Sequence, residues 1–207
     1  MANDDQIKLS SYFQHSLMGA WQLIKANPKA MDYFDLSSDG FWKSFWAIAL
    51  MLPAFVFWAF YNIEYNPYYA FMTELLVIFL LLPFVAFVMF FFTKFMNIQD
   101  HYSSMIIAYN WVNVPIYWII KIAYIILYSG SISMEIASTV MMVIGFYLSL
   151  YVVWATFKLS LKISGLLAVG VLVFELLLAA SMQAIIMRIF NPDELSAMVA
   201  LASNPPV

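Results

Sequence analysis

Two charged side chains stand inside otherwise apolar runs: Lys121, in Ile119-Ile-Lys-Ile-Ala123, and Glu175, between Phe174 and Leu176. An ionised carboxylate in hydrocarbon is expensive, so Glu175 must be protonated, paired or turned toward a wet cavity. The Lys121 side chain is long enough to reach Glu175 if their two runs pack together, which makes a Lys121–Glu175 pair one reading. The other has Lys121 snorkelling outward and Glu175 bonding a nearby backbone group as a neutral acid.

Lys121 also belongs to a polar stripe. Asn110, Asn113, Tyr117, Lys121, Tyr124 and Tyr128 recur at spacings of 3, 4, 4, 3 and 4. That periodicity places all six on one face of a helix, a face that must turn inward if lipid surrounds the rest. Such a stripe either walls a substrate or ion path or acts as interhelical hydrogen-bonding glue worth roughly 1 kcal/mol per contact. Asn110, Asn113, Tyr117, Lys121 and Glu175 form the candidate intramembrane polar site.

Pro53, Pro83 and Pro115 fall near the middle of three apolar runs. Each removes the hydrogen bond to the carbonyl four residues earlier and is a candidate helix kink. Three kinks at one depth would open a cavity, as in discontinuous transporter helices, or simply shape the bundle. Ser138, Gly145, Ser149 and Thr156 place small side chains along one helix face and predict close helix packing there.

No G-x-S-x-G, H-E-x-x-H, G-x-G-x-x-G or P-loop pattern occurs, and the only histidines are His15 and His101. The sequence therefore assigns no catalytic residue, no cofactor and no metal ligands. Asp100-His101 reads as a solvated turn. With no cysteine there is no disulfide framework and no thiol nucleophile, and a net charge of -3 gives no sign of nucleic-acid binding.

The elements that carry these residues follow from composition: 65% of residues are hydrophobic and 10% charged, with a mean hydropathy of +0.86. A water-soluble globule of 207 residues could not hide that much apolar surface. The fold class is all-α, a polytopic transmembrane helix bundle. Its five spans lie near 43–62, 73–95, 104–128, 134–157 and 163–187, each long enough for a hydrocarbon core of about 30 Å. Phe41, Trp42, Phe45 and Trp46 make an aromatic belt at one interface, and Trp58, Tyr61, Tyr65, Tyr68 and Tyr69 at the other.

Ahead of the spans, residues 7–27 carry Phe13, Leu17, Ala20, Trp21 and Ile24 at helical spacing, with Gln14, His15, Gln22 and Lys25 turned away. This is an amphipathic helix lying in the interface or packed on the bundle, ended by Asn27-Pro28. Ser37, Ser38 and Asp39 offer N-cap oxygens for the first span. The organisation is a cytoplasmic or interfacial segment 1–40, a five-helix membrane domain 41–190 and a short tail 191–207. The acidic N-terminus leads into no short apolar stretch, so no cleaved signal peptide is expected.

Orientation follows from the basic residues. Lys8, Lys25, Lys29, Lys43, Lys94, Lys158 and Lys162 fall on one side of the five crossings, leaving Lys121 within a span and Arg188 on the other side. Basic residues accumulate in cytoplasmic loops, so the N-terminus is expected inside and the C-terminus outside. Short loops and the absence of glycosylation sequons fit a bacterial inner membrane.

The run His101-Tyr-Ser-Ser-Met-Ile-Ile-Ala-Tyr-Asn-Trp-Val-Asn-Val-Pro115 resembles a pattern of the Yip1-domain membrane proteins: a polar lead-in, a small-residue stretch, then an aromatic before a helix proline. Five spans and a cytoplasmic N-terminus are also similar to that family. Its glycine-rich lead-in and the acidic-aromatic motif before the first span are absent or altered here. The resemblance implies a non-enzymatic structural or adaptor protein whose partners are the lipid bilayer and other membrane proteins or copies of itself. The alternative is a small transporter, channel or transport accessory subunit built on the third-span polar face and Glu175.

Overall fold

The structure, a computed structural model, describes residues 2–61, 67–129, 132–190 and 192, with side chains described for 9–60, 72–129, 132–190 and 192. Tyr65 and the tail 193–207 lie outside the described residues, as do the side chains of Lys8, Tyr61, Tyr68 and Tyr69.

Helices account for the architecture, with no strand among the described residues. The order is α1 (Ala2–Ile24), α2 (Ser38–Ser44), α3 (Ala47–Tyr61), α4 (Pro67–Phe95), α5 (Tyr102–Ser129), α6 (Met134–Phe146), α7 (Val153–Leu161) and α8 (Gly165–Phe190). Five stretches are long and apolar enough to cross a bilayer: Ser38–Phe60, Met72–Phe95, Gln99–Ser129, Met134–Leu161 and Gly165–Phe190. The protein is an integral membrane protein.

Three of the five spans are not continuous α-helix, the third only in that it opens with a 3₁₀ turn, Gln99–His101. The first breaks at Phe45–Trp46 between α2 and α3, and in the fourth a π-helical segment, Tyr147–Val152, joins α6 to α7. Hydropathy does not detect either feature, because both lie within stretches that average as apolar. Ser37 is the N-cap of α2, its Oγ accepting the Gly40 N–H at 3.1 Å.

The bundle is built around the first half of α5. Met105 to Val112 are all buried, as are Val114 and Ile116. Helix α5 packs on α1, α2, α3, α6 and α7, and more lightly on α4. Helix α8 packs against α4 and α7 and adds Ala168, Val171 and Leu172 to this core.

Helix α1 packs on the bundle with a face different from the one expected. Ser16, Gly19, Ala20, Leu23 and Ile24 are buried, whereas Leu17 and Trp21 face outward. A small residue allows the close approach, since a Cβ on Gly19 would stand 2.8 Å from Phe34 Cζ; at the start of α2 a Cβ on Gly40 would collide with the Asp35 carbonyl. The helix stops at Ile24, ahead of Asn27-Pro28, because Ala26 takes a left-handed conformation at φ 55°.

The small-residue face of the fourth span divides. Thr156 is buried, yet of the 13 residues of α6 only Ala137 is, and Gly145 has no described atom within 4 Å of the place a Cβ would occupy. Pro53, Pro83 and Pro115 all lie inside helices that run on through them. Pro53 and Pro83 face outward, so the three do not meet around an interior cavity.

Candidate intramembrane polar site

The Lys121–Glu175 pair does not form. Lys121 Nζ lies 2.6 Å from Glu74 Oε1, and the Tyr117 hydroxyl donates to the same oxygen at 2.8 Å. The ammonium sits 3.9 Å from the centroid of the Trp58 ring and 5.1 Å from that of Tyr117. The two charged side chains are only 13% and 27% exposed, so the pair is shielded from water but reaches the protein surface. A lone ammonium there would cost several kcal/mol, and a carboxylate, a hydroxyl and two ring faces together offset that cost.

Glu175, 5% exposed, takes a different partner. The Tyr109 hydroxyl donates to its Oε1 at 2.5 Å, and the Tyr109 ring stacks on Phe157 at 5.7 Å. No ion pair to Glu175 exists among the described residues. The separation follows from the packing: α5 lies against α3 and α4, which supply Trp58 and Glu74 to Lys121, whereas α5 and α8 make little contact and are tied by the Tyr109–Glu175 bond.

The rest of the polar stripe is bonded helix by helix. Asn110, fully buried, donates from Nδ2 to Ser44 Oγ at 2.9 Å, and that hydroxyl donates to the Phe41 carbonyl at 2.7 Å. Its Oδ1 has no hydrogen-bond partner among the described residues. Asn113 bonds back to the Tyr109 carbonyl of its own helix at 2.8 Å, and the Tyr124 and Tyr128 rings meet at a tilt of 31° with centroids 4.6 Å apart.

Neighbouring aromatic residues make further ties. Trp118 Nε1 donates to the Leu50 carbonyl at 2.9 Å, and the Tyr102 hydroxyl to the Ala86 carbonyl at 2.9 Å. Trp111 Nε1 donates to the Tyr12 hydroxyl at 3.2 Å, which donates in turn to the Gly40 carbonyl at 3.0 Å. Burial raises the pKa of the Tyr12 phenol above the ordinary value, which keeps it a donor. Helix α5 is thereby bonded to α1, α2, α3, α4 and α8 through separate contacts.

Glu74, Tyr109, Ser44 and Tyr12 are the functional partners that sequence reasoning missed. Glu74 is the one acidic residue in the second apolar run, a usable signal obscured by its position at the run's edge. Tyr109 carried none, being one of 13 tyrosines. Among the described residues no three His, Asp or Glu side chains converge in a way that would hold a metal ion.

The clefts lie on the outside of the bundle. One of about 470 Å³ is bordered by Phe41, Trp42, Phe45, Pro83, Ala86 and Tyr102. A second, about 340 Å³, shares Trp42, Phe45 and Ile48 with it and continues along Ala49, Leu52 and Phe79. Compared with protein-family models, curated proteins and solved structures, the chain matches none.

Proposed function

We propose that the protein is a non-enzymatic structural or adaptor protein of a bacterial inner membrane, N-terminus cytoplasmic and C-terminus periplasmic, acting through contacts with other membrane proteins or copies of itself in the manner of the Yip1-domain proteins it resembles. The observation that carries this reading is where the polar groups of α5 are committed. Lys121, Tyr117, Tyr109 and Asn110 each bond a different helix or share one partner, rather than facing a common path.

A second observation supports it: α6 is nearly bare, with Gly145 open to the approach of another helix. In lipid, a small residue on an open face lets a partner helix come close. The orientation rests on the seven lysines that share one side of the five crossings.

Because the chain has no cysteine, a single Gly145→Cys variant gives a clean cross-linking site. In native membranes it is expected to yield one discrete cross-linked species, with Phe87→Cys on an exposed face of α4 as the control that yields none. Cross-linking no stronger at Gly145 than at Phe87, or substrate flux in proteoliposomes that Glu175→Gln or Lys121→Met abolishes, would replace the adaptor by the transporter reading.

A further inference from the structure

We infer that the groove between the first and second spans is a binding site for one bilayer phospholipid, with an acyl chain lying along α3 and α4 and the ester region at Trp42 and Trp46. The two clefts described above are stretches of one groove, since both are walled by Trp42, Phe45 and Ile48. One stretch ends at Tyr102 and Ala86, the other at Leu52 and Phe79. Along the α4 wall, which is one helix, the stretch from Phe79 to Ala86 advances about 10 Å. That fits within a single leaflet of a hydrocarbon core of roughly 30 Å.

The medium around the groove fixes the class of occupant. Both walls belong to stretches long and apolar enough to cross a bilayer, so the medium the groove meets is hydrocarbon. Its one hydroxyl, on Tyr102, is already committed to the Ala86 carbonyl. An acyl chain asks for no donor or acceptor from such a lining.

The tryptophans supply the polar end. Where Trp111, Trp118 and Trp154 point into the protein, each indole N–H donates to a protein oxygen. Trp42 and Trp46, 72% and 54% exposed, line the groove, and neither N–H has a protein acceptor among the described residues. Two unspent donors at the interface end of an apolar groove match the ester carbonyls of a glycerophospholipid.

The full chain in nanodiscs of dioleoylphosphatidylcholine, released and weighed by native mass spectrometry, tests this. Wild type is expected to retain one lipid; Ala49→Trp, which fills the groove from an exposed position, to lose it; and Val143→Trp, on the bare face of α6, to keep it. The Trp42→Phe, Trp46→Phe double variant keeps the ring shapes and is expected to retain several-fold less. Wild type emerging without lipid, or Ala49→Trp holding lipid as well as wild type does, would overturn the site. Unchanged retention in the double variant would overturn the assigned ester position.

Discussion

Lys121 and Glu74 meet at 2.6 Å across α5 and α4, under the ring of Trp58. The contact gives the lysine a structural task, tying the outer half of α5 to the second span. Removing one member leaves the other charge uncompensated where water is scarce. Lys121→Met is therefore expected to cost about 3 kcal/mol of stability, and Lys121→Met with Glu74→Leu distinctly less. Denaturation in mild detergent checks both values. A double variant no more stable than the single one would refute the account.

Tyr109→Phe deletes the donor to Glu175 while keeping the ring that stacks on Phe157. A loss of about 1–3 kcal/mol is expected, the cost of an unsatisfied buried acceptor. Glu175→Gln still offers an acceptor and should lose less. The order of the two melting temperatures decides: Glu175→Gln above Tyr109→Phe is expected.

Glycines separate packed from open surface. Gly40→Ala drives a methyl into the Asp35 carbonyl and should destabilise by about 1–3 kcal/mol or more. Gly170→Ala meets no described atom within 4 Å and removes a flexible residue from within α8, so it should gain up to about 1 kcal/mol. Thermal melts of the two variants should move in opposite directions.

The docking of α1 depends on Tyr12 remaining a phenol. Its pKa is raised in the folded chain, so its stabilising contribution is complete below the unfolded value of about 10 and is lost as pH rises through and beyond it. Protease cleavage within residues 1–24 should accelerate above that pH. In Tyr12→Phe cleavage should be faster at neutral pH and lose most of this dependence.

The class of fold was legible because each span announces itself by composition: runs such as Phe79 to Val88 admit no other environment. The breaks were not, since Phe45–Trp46 and Tyr147–Val152 both lie within stretches whose average composition reads as one continuous span. For the site, the spacing of Asn110, Asn113, Tyr117 and Lys121 pointed to one helix face, of which Asn110 is fully buried and the other three are half-buried. Choosing the partner failed. Hydropathy ranks Glu175 as the costlier carboxylate, yet partner choice depends on which helices touch, and α8 lies away from the face that carries Lys121. Glu74 meets that face, although in sequence it stands near the end of its run.

The most direct measurement of the central claim, that third-span polar groups are ties consumed within the chain, is a pair of double-mutant cycles in one preparation. Lys121 with Glu74 is expected to show a coupling energy of at least about 1 kcal/mol, and Lys121 with Glu175 a value near zero. Coupling to Glu175 with none to Glu74 would contradict it.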